Sequence, residues 1–172
     1  MKGVSCMEQE FTYRFADEGD VPAILTFIRA LAVYEHLEDQ VEATEDLLRH
    51  WLFEQRKAEV LLAESGGKPV GMALFFHNFS TFLGRAGLYL EDLFVLPECR
   101  GRGCGTGLLQ RLAQIALERG CGRLEWCCLD WNRPSIAFYR SLGAVPMEEW
   151  TTYRLAGQTL LDMADGRGCN AE

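Results

Sequence analysis

Residues 91–107 read Glu-Asp-Leu-Phe-Val-Leu-Pro-Glu-Cys-Arg-Gly-Arg-Gly-Cys-Gly-Thr-Gly. An apolar strand runs into Leu96-Pro97, a short turn carries Arg100, and a glycine-rich stretch opens a long amphipathic segment. Peptide N–H groups at a helix start lack intrahelical partners and sit at the positive end of the helix dipole. Glycines let an anion approach those groups closely, so the stretch predicts a cradle for a pyrophosphate. Spacing excludes two common phosphate motifs. A P-loop needs a second glycine five places on, yet Gly101, Gly103, Gly105 and Gly107 are followed at that distance by Thr106, Leu108, Gln110 and Leu112. The dinucleotide fingerprint Gly-x-Gly-x-x-Gly fails at the same Thr106 and Leu108.

Outward from this stretch, the pattern predicts strands at 11–15, 60–63, 70–77, 88–96, 123–129 and 150–155. Helices are predicted over 21–34, 45–55, 105–119, from Asn132 or Arg133 to Leu142, and over 157–164. Asp20 is expected to cap the first helix and Thr44 the second. Residues 78–86 read as a loop. The order β-α-α-β-β-β-α-β-α-β implies an α/β fold with helices on both faces of a mixed sheet. A single domain over 11–164 is the simplest organisation, with 1–10 and 165–172 as flexible tails.

Composition narrows the function classes. The chain of 172 residues is 48% hydrophobic and 24% charged, ordinary for a globular domain with a sizeable core. No apolar run reaches membrane-spanning length, and the first ten residues lack the apolar stretch of a signal peptide, so a cytoplasmic location is expected. The net charge of −8 argues against a nucleic-acid partner and is compatible with a cationic substrate. Six acids fall within 35–46: Glu35, Glu38, Asp39, Glu42, Glu45 and Asp46. Seven cysteines, at 6, 99, 104, 121, 127, 128 and 169, form no Cys-x-x-Cys pair and have no ligand spacing with His36, His50 or His77, so neither a disulfide framework nor a metal site is expected. Cys104 sits where a helix N-terminus can lower a thiol pKa.

Adjacent strand residues point to opposite faces. Glu91 and Asp92 therefore cannot both face solvent in a sheet covered on both sides, and at least one carboxylate must occupy a cleft or be paired. Beside a phosphate cradle, such a carboxylate suits the removal of a proton from an alkylammonium ion, whose pKa is ~10.4 in lysine-like models.

Arg100-Gly101-Arg102-Gly103-Cys104-Gly105 resembles Arg/Gln-x-x-Gly-x-Gly/Ala, the acetyl-CoA signature of the GCN5-related N-acetyltransferase (GNAT) family. The run Asn132-x-x-Ser135-x-x-Phe138-Tyr139-x-x-x-Gly143-Ala144 is similar to the family's second acetyl-CoA segment. Leu88-Tyr89-Leu90-Glu91-Asp92, Trp131-Asn132 and Leu31-Ala32-x-Tyr34-Glu35 resemble the spermidine/spermine N1-acetyltransferase branch with its diamine- and thialysine-acetylating relatives, over about Tyr13 to Ala164. The resemblance implies the acyl-CoA N-acyltransferase fold, with a mostly antiparallel central sheet, and acetyl-CoA as co-substrate without a metal. It implies Glu91 as the group that deprotonates the amine, directly or through water, and Tyr139 as the general acid. It implies that backbone at Leu93, Phe94 and Val95 holds the pantetheine arm. The turn of Arg100, Gly101, Arg102, Gly103, Cys104, Gly105 and Thr106 would hold the diphosphate, and Asn132 and Ser135 would line the coenzyme channel. Tyr34, Glu35, Glu91, Asp92, Glu149 and Trp150 fall on acceptor-contacting positions, and a homodimer is implied. Two departures bear on the acceptor pocket: the loop Asn78-Phe79-Ser80-Thr81-Phe82-Leu83-Gly84-Arg85 carries no acid, and the segment after Gly143-Ala144 is short. Three functions stay open at this level: acetylation of a small cationic amine, acetylation of a protein N-terminus or lysine, and a coenzyme-binding regulatory module without turnover.

Overall fold

The computed structural model describes residues 11–167. Of the tails expected at 1–10 and 165–172, residues 1–10 and 168–172 lie outside the described residues. The chain divides into two compact units, one ending at Cys127 and the other beginning at Cys128.

The first unit is built on a five-stranded sheet in the order β1 (Thr12–Phe15), β2 (Glu59–Ser65), β3 (Lys68–Ser80), β4 (Arg85–Val95), β5 (Leu124–Trp126). The first three pairings are antiparallel and β4–β5 is parallel, so the mixed, mostly antiparallel sheet is as expected. Three helices accompany it: α1 (Val21–Glu35), a short α2 (Glu45–Leu48) and α3 (Cys104–Glu118).

Strand alternation sorts the core into two layers. On one face Ile24 and Phe27 of α1 pack with Val60 and Leu62 of β2, Met72 of β3 and Phe94 of β4. The opposite face carries Leu61, Ala73, Phe75, Leu88 and Leu90, all buried, and α3 lies over it with Leu108, Leu112 and Ile115. Arg119, at the end of α3, reaches the rings of Phe15 and Phe75 from that side and pairs with Glu59. α3 lies close to β1 at Gly107, where an added Cβ would overlap the Tyr13 phenol and force it aside.

Several expectations are corrected. Residues 78–86 are a continued ladder rather than a loop: β3 runs to Ser80, β4 starts at Arg85, and Asn78↔Gly87, Phe79↔Ala86 and Ser80↔Arg85 are in register. Polar and glycine residues there read as a loop, but cross-strand pairing satisfies their peptide groups. Asp20 does not cap α1. Its carboxylate accepts from Arg14 at 2.6 and 2.9 Å and from the Asp17 N–H at 2.8 Å, and the guanidinium holds it below the usual carboxylate range. Thr44 does cap α2, accepting from the Leu47 N–H at 3.2 Å. The helix predicted over 45–55 then widens into a π-helix at Arg49–Glu54, where the Gln55 N–H donates to the His50 carbonyl at 2.8 Å. This turn seats Leu52 in the core and leaves Trp51 exposed. β5 is only the first half of the strand predicted at 123–129, ending at Trp126.

The second unit holds α4 (Arg133–Ser141) and α5 (Gly157–Ala164). Asn132 caps α4, accepting from the Ser135 N–H at 3.3 Å. The strand predicted at 150–155 is not formed: these residues enter no ladder among the described residues, and all are exposed. A strand without a hydrogen-bonding neighbour has nothing to fix it. Asp165–Arg167, read from sequence as tail, close α5 instead, with the Arg167 N–H donating to the Asp162 carbonyl at 2.8 Å.

Candidate active site

β4 changes character at Glu91. Leu90 pairs with Phe75 and Asp92 pairs with Leu74, so Glu91 is the extra residue of a β-bulge. The bulge answers how two adjacent acids share one strand. Glu91 is off the ladder and exposed, whereas Asp92, opposite Leu74, turns toward the α1 face and is partly buried. Burial, with Glu91 and Glu35 nearby, pushes Asp92 up to about 6. Glu35, at the end of α1, is also raised by burial. Three carboxylates thus gather where α1 ends and β4 bulges, a setting that favours a cation.

The pairing of β4 with β5 stops at Leu90↔Trp126. Beyond it, the Leu96 N–H donates to the Val70 carbonyl at 2.9 Å, which fixes the hydrogen-bonding alternation along the strand. Phe94 and Asp92 therefore turn their peptide groups toward β3, while Leu93 and Val95 turn theirs to the edge that β5 leaves. Of the three residues expected at the pantetheine arm, Leu93 and Val95 present backbone there. Phe94 contributes its ring to the core, 5.7 Å from that of Phe27. The Val95 carbonyl accepts from Arg100 Nε at 2.9 Å.

A short 3-10 turn, Pro97–Cys99, leads from β4 into Arg100. Gly101 and Gly103 have φ of 68° and 87°, in the left-handed region that favours glycine, and space beside both is open. Gly103 is the N-cap of α3 and offers no side chain to the first turn. The first helical bond is Gly107 N–H to the Gly103 carbonyl at 2.9 Å, so the N–H groups of Cys104, Gly105 and Thr106 have no helical acceptor. An uncapped start to a 15-residue helix, reached through open glycines, fits a diphosphate. Arg102 lies near the Phe11 ring, at 5.9 Å. Cys104 does not behave as a helix-start thiolate: it is buried, and desolvation with Cys99 beside it pushes it up to about 11.

Arg100 was expected only as part of the phosphate turn. Its guanidinium carbon lies 5.0 Å from the Tyr34 ring centre and 5.6 Å from that of Phe94. Sequence reasoning also missed Tyr89, whose hydroxyl donates to Cys127 Sγ at 3.0 Å. That bond and burial push the phenol well above its ordinary range, with Glu91 adding to the effect. Alternation on β4 was the available signal, since Tyr89 shares a face with Asp92 once the bulge is counted.

In the second unit, Asn132 is buried at the start of α4, with Ser135 in its first turn. Tyr139 lies near the end of α4, half-buried, its ring 5.4 Å from that of Phe138. Glu149 and Trp150 are exposed, and the Trp150 N–H donates to the Met147 carbonyl at 3.1 Å. Among the described residues, no cluster of three or more histidine, cysteine or acidic side chains could hold a metal ion. No helix among them is long and apolar enough to cross a membrane.

Residues 25–144 match the Acetyltransferase (GNAT) family. The chain is 39% identical to the thialysine N-epsilon-acetyltransferase of Bos taurus over 165 residues, covering 88% of this chain and 95% of that one. It is 31% identical to an L-ornithine N5-acetyltransferase of Arabidopsis thaliana, covering 86% of this chain and 85% of the other. Among solved structures, an integron cassette protein from the mobile metagenome of V. cholerae aligns with a TM-score of 0.76 at 29% identity, over 90% of this chain and 97% of the other. The chain therefore belongs to the GNAT acetyltransferase family, whose enzymes draw their acetyl groups from acetyl-CoA.

Proposed function

We propose that this enzyme acetylates a primary amine of a small cationic acceptor: a polyamine, a diamine, or an amino acid resembling lysine or thialysine. The observation that carries the reading is the group of three carboxylates, Glu35, Glu91 and Asp92, on the same unit as the open glycine turn. Relatives named for thialysine and ornithine N-acetylation support it.

Acetyl-CoA, when bound, supplies a thioester carbonyl. Glu91, directly or through a water, accepts the ammonium proton, so the nitrogen lone pair is free to form the new C–N bond. As the C–S bond breaks, Tyr139 gives its proton to the leaving thiolate and recovers one from solvent. Arg100, Arg102 and the amides from Gly101 to Thr106 grip the diphosphate. Peptide groups of Leu93 and Val95 align the pantetheine arm beside Phe94, and Asn132 and Ser135 line the rest of the channel. Tyr34, Glu35, Asp92, Glu149 and Trp150 receive the acceptor.

We place this activity in one acetyltransferase domain over 11–164, in the cytoplasm, acting without nucleic acid or membrane. We assign it to a homodimer. Val145, Met147, Trp150 and Tyr153 are 78, 63, 73 and 91% exposed, four large apolar side chains on a segment that enters no ladder among the described residues.

The test is a panel of amines offered with acetyl-CoA and scored by mass spectrometry, run with wild type and Tyr139→Phe. Acetylated diamine or lysine-like product, with kcat reduced about 100-fold or more in Tyr139→Phe, is the expected result. Product on peptides alone would redirect the reading to protein acetylation. Coenzyme binding with no product on any amine would mark a regulatory module.

A further inference from the structure

Arg100 touches three parts of the first unit at once. Its guanidinium lies against Tyr34, in the last turn of α1, and against Phe94, in the core of β4. Its Nε donates to the carbonyl of Val95, on the edge of β4 that β5 leaves. The next residue is Gly101, where the backbone turns into its left-handed conformation. Tyr34 in turn precedes Glu35, whose charge acts on Asp92.

A guanidinium is a flat cation. It is attracted to the faces of aromatic rings, and a hydrogen bond from Nε fixes the rotation of its plane. Here the two constraints act together, so the side chain has one seat. That seat joins the acid-rich end of α1 to the first residue of the phosphate turn.

We infer that Arg100 is a positioning residue that couples the acceptor end of the site to the coenzyme turn, acting through Tyr34 and the Val95 carbonyl rather than as a phosphate charge alone. The inference rests on the amine N-acetyltransferase reading above. Coupling of this kind is reciprocal: a change on the acceptor side must be felt by the coenzyme, and the reverse. It also separates arginine from lysine, since an ammonium keeps the charge but has neither the plane nor the Nε donor.

The experiment uses wild type, Arg100→Lys, Tyr34→Leu and the double variant. CoA affinity is measured by calorimetry, and KM is measured separately for acetyl-CoA and for the best amine of the panel. Arg100→Lys is expected to raise the amine KM by about threefold or more. Tyr34→Leu, on the acceptor side, is expected to weaken CoA binding by about threefold, and to add no further loss in the Arg100→Lys background. The inference is overturned if Arg100→Lys changes only the acetyl-CoA KM, or if the two effects on CoA affinity simply multiply. Should Arg100→Lys fail to fold, the Tyr34→Leu titration decides alone: unaltered CoA affinity overturns the inference. Wild type that binds no CoA overturns the enzymatic reading itself and this inference with it.

Discussion

The two halves of β4 make opposite use of the same backbone. From Arg85 to Leu90 the strand has β3 on one edge, and over Leu88–Leu90 it also has β5 on the other. Leu88 and Leu90 are buried beneath α3, and nothing reactive lies between them except Tyr89. From Glu91 to Val95 the β5 pairing is gone, a bulge intervenes, and two acids and two outward-facing peptide units appear. Pairing uses up the backbone edges of the first half and leaves Tyr89 as its one polar side chain near the site. The second half gives up one neighbour, and the exposed hydrogen-bonding edge becomes available to a ligand while β3 still holds the strand in place.

This contrast can be broken first at Leu88, which is 0% exposed. Leu88→Ala is expected to lose about 2–5 kcal/mol of stability in a denaturant titration, with kcat per folded molecule retained. A large loss of kcat with intact stability would erase the distinction between the halves. Glu91→Gln should do the reverse: kcat/KM at neutral pH falls about 100-fold, the melting temperature holds, and the deficit narrows as pH rises toward the amine pKa of ~10.4.

Asp92 lies between these extremes. Its carboxyl is held at about 6 in the folded chain against 3.8 in the open chain, so the folded state binds the proton more tightly. Its contribution to stability is full below about 4 and is lost as pH rises through about 6. Asp92→Asn is therefore expected to stabilise the protein above pH 6, by up to ~3 kcal/mol, while raising the KM for the amine. Urea titrations at pH 5 and pH 8 check this; an equal effect at both would remove the proton from the account. The smallest change is Cys127→Ala. It removes the acceptor of the Tyr89 hydroxyl, so the phenol should titrate at lower pH in ultraviolet difference spectra, while stability moves by less than about 1 kcal/mol.

How far the site was legible differs by element. The glycine turn before α3 was readable because glycine carries its own conformational meaning: left-handed backbone at Gly101 and Gly103 is what those residues permit. The paired acids at Glu91 and Asp92 were readable as a conflict with strand alternation, but the bulge that resolves it was not. A bulge is a property of two strands in register, and neither strand announces it alone. The seat of Arg100 was hidden for a similar reason, since Tyr34 lies 66 residues away in the chain and only the packing of α1 on the sheet brings the ring to the guanidinium. The expected strand at 150–155 shows the converse. Local composition favoured it, but composition cannot supply a neighbour.

The contact between Gly107 and Tyr13 reaches beyond packing. Tyr13 also donates to the Cys104 carbonyl at 3.4 Å, across 91 positions of sequence. β1 bears no residue of the proposed chemistry, yet it is the buttress against which the opening turn of α3 rests. Trimming or tagging that intrudes on Thr12–Phe15 is expected to disturb the start of α3 from a distant part of the polypeptide, and so to weaken the hold on nucleotide proposed for that turn.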